Sequence, residues 1–130
     1  MNIALIGYGK MGRELEQFIE EGKRDKIVSV SFRDKKDKLD VSGIEKADVA
    51  IDFTAADIVV GNVEQVAKLG VNMVIGTTGW YNELPRVEKI VKERKIGLIY
   101  AKNFSLGANI FFQIVGFASK IISRYQNYDV

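Results

Sequence analysis

Four short segments rich in glycine and hydroxyl side chains each follow a short apolar run: Gly7-Tyr8-Gly9-Lys10-Met11-Gly12, Asp52-Phe53-Thr54, Gly76-Thr77-Thr78-Gly79 and Asn103-Phe104-Ser105-Leu106-Gly107. The apolar runs alternate with stretches of helical period, a pattern that folds as right-handed βαβ units around a parallel sheet. An open parallel sheet binds its ligand outside the carboxyl ends of its strands. The pattern therefore predicts an α/β chain, a Rossmann-like doubly wound parallel sheet, with four loops converging on one edge. Such an edge suits a nucleotide with room beside it for a smaller molecule.

Apolar periodicity predicts strands over residues 2–6, 27–32, 49–53, 71–75 and 96–100. Helices are predicted over 10–21 (stopped by Gly22), 57–69 (closed by Gly70), 80–94 and 106–125, with Pro85 near a first turn, where proline is tolerated. Residues 33–46 are polar and read mostly as loop. The last helix carries Ile110, Phe111, Phe112, Ile114, Val115, Phe117, Ile121 and Ile122, more than one narrow stripe, and is expected to be buried on more than one side. Tyr128-Asp129-Val130 reads as the start of a further strand. The division expected is a dinucleotide-binding domain over 1–105, then over 106–130 a crossover helix and the first residues of a truncated second domain.

Composition removes several classes of function. At 130 residues, 47% hydrophobic and 28% charged, the chain is long enough for one core. Its net charge of +2 is too mild for a nucleic-acid partner. It has no cysteine and no histidine, which removes disulfides, thiolate metal sites and the commonest general acid–base; no metal site is expected. No leader is read before the first strand, and no apolar run reaches the length of a bilayer span. The expected setting is the cytoplasm, without a membrane partner.

The chemistry concentrates in the loops. Gly7-x-Gly9-x-x-Gly12, between a strand and a helix, has the context of a dinucleotide fingerprint: Gly7 for the tight turn, Gly9 for close approach of a pyrophosphate, Gly12 for helix–strand packing. The helix start supplies unpaired N–H groups, so Tyr8, Lys10 and Met11 are included with the glycines as cofactor-binding. The second strand runs into Phe32-Arg33-Asp34-Lys35-Lys36. Arg33 suits a 2′-phosphate, so NADPH is expected to be preferred, with NADH possible through Asp34. Phe53 can pack on a flat ring, and Thr54 can bond ribose or phosphate, or else Thr54 or Asp57 caps the next helix. Gly76 allows close approach, and Thr77 and Thr78 offer donors to an anionic substrate beside the cofactor, or form a turn with a threonine cap. Asn103 and Phe104 are candidates on the nicotinamide side. Ser105 is a candidate for substrate or a helix cap, and Lys102 is a catalytic candidate or else a solvated surface lysine.

Together, Gly-Tyr-Gly-Lys-Met-Gly, Val49-Ala-Ile-Asp-Phe-Thr54, Met73-Val-Ile-Gly-Thr-Thr-Gly79 and Ala101-Lys-Asn-Phe-Ser-Leu-Gly-Ala-Asn109 resemble the dihydrodipicolinate (4-hydroxy-tetrahydrodipicolinate) reductase family over the whole of 1–130. The resemblance implies that family's N-terminal dinucleotide-binding domain. It also implies hydride transfer from NAD(P)H to a cyclic dicarboxylate on the diaminopimelate route to lysine. The family's motifs fall on Gly7, Gly9 and Gly12, on Phe32 and Arg33, on Asp52, Phe53 and Thr54, on Gly76, Thr77 and Thr78, and on Asn103, Phe104 and Ser105. The sequence departs from the family in a glycine turn one residue shorter than in many members, and in Phe32 where many carry an acid. The family continues into a substrate domain with a paired-histidine motif and a lysine thought to supply the proton. With no histidine here, the expectation is a cofactor-binding portion inactive alone, with a homo-oligomer formed through the last helix or the missing domain. The alternatives are a non-catalytic dinucleotide-binding or sensing module, or another two-domain dehydrogenase.

Overall fold

The computed structural model describes residues 1–32 and 37–125. The Arg33-Asp34-Lys35-Lys36 stretch and Tyr128-Asp129-Val130 lie outside the described residues. Five strands, β1 (Asn2–Ile6), β2 (Lys26–Ser31), β3 (Val49–Asp52), β4 (Asn72–Ile75) and β5 (Leu98–Tyr100), form one sheet in the order β2-β1-β3-β4-β5. All its pairs are parallel. The chain winds from β1 to one side for β2 and to the other for β3, so the switch point lies between β1 and β3. Register puts Ser31, Ile6, Asp52, Ile75 and Tyr100 in one row along the carboxyl edge.

Side chains alternate across a strand, so β1 feeds two cores. Ala4 and Ile6 join Ala50, Met73 and Ile75 on one face, packed against α3 (Val59–Lys68) and α4 (Leu84–Arg94). Val59, Val63, Val66 and Ala67, at helical spacing on one face of α3, are buried there. On the other face Ile3 and Leu5 meet Ile19 of α1 (Lys10–Gly22), with Leu15, Val49 and Ile51 around them. That second layer is incomplete: Ile99 of β5, on the same face by register, is 62% exposed.

The described part of the polar stretch after β2, residues 37–46, is loop and turn apart from α2 (Val41–Ile44). Asp40 organises it. Its carboxylate caps α2 by accepting from Gly43 N–H at 3.1 Å, and accepts from the Ser29 hydroxyl at 2.9 Å, while its own N–H donates to Ser31 Oγ at 2.9 Å. The Gly43 N–H foremost, then the Ser29 hydroxyl, hold the Asp40 carboxyl below its ordinary range.

The structure corrects several expectations. Gly22 does not stop α1; Lys23 does, in the left-handed region at φ 50. Phe18 of α1, an apolar residue at helical spacing with Met11, Leu15 and Ile19, is 74% exposed. Neither Thr54 nor Asp57 caps α3: the N-cap position is Ile58, with no side-chain cap, because the Thr54 hydroxyl is bonded elsewhere. The stretch after Gly79 opens as a 3₁₀ turn, Tyr81–Glu83, before α4. The last helix, α5 (Leu106–Ile122), has no buried residue, against the expected burial on more than one side. It leaves the sheet after the edge strand β5, and the described layers end there. No described helix is long and apolar enough to cross a membrane.

Candidate functional site

Four loops leave the carboxyl edge and meet over β1, β3 and β4. The first is the glycine turn. Gly7 sits at φ +96, and a Cβ there would fall 2.5 Å from the Phe53 carbonyl oxygen. A Cβ on Gly12 would fall 2.2 Å from the Gly7 oxygen, so these two glycines let α1 close onto the sheet. Gly9 is different: a Cβ there would meet nothing within 4 Å, and it would stand in open space at the start of α1. Among the described residues no side chain caps α1, and its first turn holds no acid, so its leading N–H groups can serve an anion. The turn is tied to the end of β2 by Gly7 N–H to Ser31 O at 3.0 Å and Tyr8 N–H to Phe32 O at 3.3 Å. Phe32 takes a left-handed φ of 59 at this junction.

The turn borders a hollow of about 320 Å³. Gly9, Lys10 and Met11 line one wall, Phe53 to Ala56 a second, and Gly76, Thr77 and Thr78 a third. An adjoining hollow of about 340 Å³ shares Met11, Phe53 and Gly76, and extends to Lys102, Asn103, Phe104 and Ser105. The four segments singled out from the sequence thus share one cleft. Gly7 and Gly12 shape its base without lining it. Tyr8 is also off the lining: its hydroxyl bonds Glu16, and the Arg13 guanidinium lies 5.5 Å from its ring centre.

Beneath the first hollow lies Asp52, fully buried at the end of β3. Its Oδ1 accepts from Thr54 N–H at 2.9 Å, the Thr54 hydroxyl at 2.6 Å and the Thr77 hydroxyl at 3.1 Å. Its Oδ2 accepts from Asn62 Nδ2 at 2.8 Å. The Trp80 indole N–H donates to the Thr77 carbonyl at 2.8 Å. Thr77 is therefore buried and held from two sides, whereas Thr78 is exposed in the cleft. The expected free hydroxyl donor at Thr77 is absent, since its hydrogen is spent on Asp52.

The fourth loop is held by its own polar groups. Asn103 Oδ1 accepts from Ser105 N–H at 2.8 Å, Ser105 Oγ caps α5 by accepting from Ala108 N–H at 3.3 Å, and Asn109 Nδ2 donates to the carbonyls of Asn103 and Ser105. Ser105 is thus the helix cap that its position allowed. Phe104 stays 47% exposed at the rim, and the Lys102 ammonium lies 5.5 Å from the Tyr81 ring centre. Among the described residues no three His, Cys, Asp or Glu side chains cluster as a metal site.

Asp52 stands in one of the motif segments without a role of its own, and Asn62 is not among the residues that the sequence assigns to the site. Asn62 carried a signal: it is a polar residue among Val59, Val63 and Val66, the buried positions of α3. Asp52 carried one too, a carboxylate closing an apolar strand.

A dinucleotide fits this cleft on the structure's own terms. The space at Gly9, the uncapped start of α1 and the two joined hollows give an anion cradle followed by room for a flat ring. Known proteins resemble the chain in sequence and in fold. The sequence profile described as dihydrodipicolinate reductase, N-terminus, matches residues 1–104. The chain is 35% identical over 130 residues to 4-hydroxy-tetrahydrodipicolinate reductase of Christiangramia forsetii, covering 100% of this chain and 53% of that protein. With the enzyme of the same name from Methanocaldococcus jannaschii it is 40% identical over 122 residues, 93% of this chain and 38% of that one. The chain thus spans about half, or less, of the length of these relatives. Among solved structures, dipicolinate-bound dihydrodipicolinate reductase from Paenisporosarcina sp. TG-14 superposes with a TM-score of 0.73 at 24% identity, over 92% of this chain and 53% of that one. Biliverdin reductase from Synechocystis, solved with biliverdin and NADP+, superposes at 0.63 with 12% identity, over 76% of this chain and 37% of that one, a likeness of fold.

Proposed function

The chain belongs to the dihydrodipicolinate reductase family by its match to that family's N-terminal portion, and from this premise we propose that it is the part that binds NAD(P)H in a reductase of a cyclic dicarboxylate. The reaction is the reduction of dihydrodipicolinate on the diaminopimelate route to lysine, carried out in the cytoplasm. The observation that carries the reading is the convergence of all four loops on one cleft that begins at an uncapped helix N-terminus.

When bound, the reduced nicotinamide supplies a hydride; the chain's residues bind and orient. The N–H groups at the start of α1 take the pyrophosphate, and Gly9 leaves the space for it. Arg33, with Lys35 and Lys36 near it in sequence, takes a 2′-phosphate, which makes NADPH the preferred cofactor and leaves NADH usable. Phe53, lying over Gly76, forms the wall against which the nicotinamide ring packs. Thr78, exposed in the cleft, and the loop from Asn103 to Ser105 face the dicarboxylate, and Phe104 screens one side of the ring. Lys102 borders the same hollow and is the candidate proton source on this side of the cleft.

Fluorescence titration with NADPH and NADH, repeated on Arg33→Ala, tests the reading. Tighter binding of NADPH that falls toward the NADH value in the variant supports it. Equal affinities that ignore the substitution would remove the NADPH preference, and absence of binding of either cofactor would remove the reading itself. Turnover with dihydrodipicolinate by the 130-residue chain is expected to be slight. The cleft is open to water, and loss of a placed general acid alone costs about 10²–10⁴-fold.

A further inference from the structure

We propose that Asp52 is a positioning residue that fixes the hydrogen-bonding sense of the cleft floor. On this account the subsite at Thr54 and Thr77 takes an uncharged donor group of the dinucleotide and rejects an anionic one. The proposal rests on the cofactor reading above.

A threonine hydroxyl has one hydrogen to give and two lone pairs to offer. Both Asp52 oxygens face N–H groups, which can only donate: Thr54 N–H on Oδ1 and Asn62 Nδ2 on Oδ2. The hydroxyls of Thr54 and Thr77, which share Oδ1 at 2.6 and 3.1 Å, therefore point their hydrogens down at the carboxylate. The Thr54 hydroxyl oxygen also accepts from Asn62 Nδ2 at 3.4 Å, so what the two side chains have left for the hollow they line is lone pairs alone, fewer on Thr54 than on Thr77. Behind them stands a fully buried carboxylate with no cation among its hydrogen-bond partners in the described residues. Such a floor attracts an N–H or O–H and repels a carboxylate or phosphate. It thereby separates the anion-binding start of α1 from a donor-binding stretch across the same cleft, and it gives the dinucleotide a direction. On the nicotinamide half the available donors are the carboxamide NH2 and the ribose hydroxyls.

The test compares affinities of the chain for NADP+, for its nicotinic acid analogue (a carboxylate in place of the carboxamide), for its 3-acetylpyridine analogue (a ketone, with no N–H) and for 2′,5′-ADP, which reports the adenosine half alone. The wild-type chain is expected to bind the nicotinic acid analogue at least about tenfold more weakly than NADP+. Loss of several-fold with the 3-acetylpyridine analogue makes the carboxamide the bound donor, and no loss makes it a ribose hydroxyl. In Asp52→Asn the ratio between NADP+ and its acid analogue is expected to fall below about threefold, with 2′,5′-ADP binding unchanged. A merely structural role would weaken all ligands together and leave the ratio alone. Should Asp52→Asn fail to fold, Thr77→Ser should keep NADP+ affinity and Thr77→Val lose several-fold, again with 2′,5′-ADP unchanged. Equal wild-type binding of NADP+ and its acid analogue, an unchanged ratio in Asp52→Asn, or full affinity in Thr77→Val overturns the proposal while leaving the cofactor reading intact. Failure of the wild type to bind both NADP+ and 2′,5′-ADP overturns the cofactor reading, and this proposal with it.

Discussion

The ring of Phe53 lies across Gly76 so closely that a Cβ on Gly76 would fall 2.0 Å from its Cε1 atom. The loops after β3 and β4 are interlocked by this contact on the cleft side and by Asp52 beneath it. Gly76→Ala must displace the ring, and overpacking of this kind costs about 1–3 kcal/mol. Phe53→Leu made together with it should recover part of that loss. Urea unfolding of both single variants and the double variant measures the coupling, and strictly additive losses would show that the contact is not energetically significant.

Gly12→Ala is expected to be harder to accommodate. The added Cβ meets the Gly7 carbonyl oxygen at 2.2 Å, a backbone atom that no rotamer can move aside. Separation of α1 from the sheet should cost about 2–3 kcal/mol and lower the melting temperature. An unchanged melt would contradict the close helix–strand approach.

Asp40 should give stability a defined pH dependence. Its folded pKa is lowered, chiefly by the Gly43 N–H and then the Ser29 hydroxyl, from an ordinary value of 3.8. Its contribution is therefore full above that ordinary value and is lost as pH falls through the lower folded one. Asp40→Ala, which also removes the α2 cap, should cost about 0.5–2 kcal/mol near neutrality. The gap from wild type should close on acidification below the ordinary value; chemical denaturation at several pH values reads it. A gap that stays constant into strong acid would assign the loss to something other than the carboxylate.

The apolar surface of α5 has a consequence in solution. Phe112 and Phe117 are 59% and 69% exposed, within a helix that has no buried residue. The 130-residue chain should self-associate with rising concentration. Phe112→Gln with Phe117→Gln should suppress this and leave dinucleotide binding as it was. Light scattering that shows one monomeric species throughout the range would contradict it.

Much of this architecture was legible in the sequence because it is local. The alternation of strand, loop and helix, the cap at Ser105 and the places of Gly7, Gly9 and Gly12 follow from periodicity and turn chemistry within a few residues. What was not legible depends on side chains brought together across the sheet. Thr54 was open to a capping role because a hydroxyl before a helix usually caps it; here a carboxylate two residues back holds it instead. Thr77 was assigned as a donor because the partner that takes its hydrogen lies 25 residues away in sequence. Asn62 lies on an apolar helix face, and the burial of a polar residue has meaning only once its acceptor is known. Phe18 has the spacing of an apolar helix face, but α1 has only one narrow side against the sheet and leaves it exposed.

The central claim is that the start of α1 with the space at Gly9 is the anion cradle of a dinucleotide site. Calorimetric titration of NADPH into the wild-type chain and into Gly9→Val, with a thermal melt of each, tests it most directly. A Cβ at Gly9 meets no protein atom within 4 Å, so the account expects similar melts and loss of binding in the variant alone. NADPH binding retained by a folded Gly9→Val chain would contradict it.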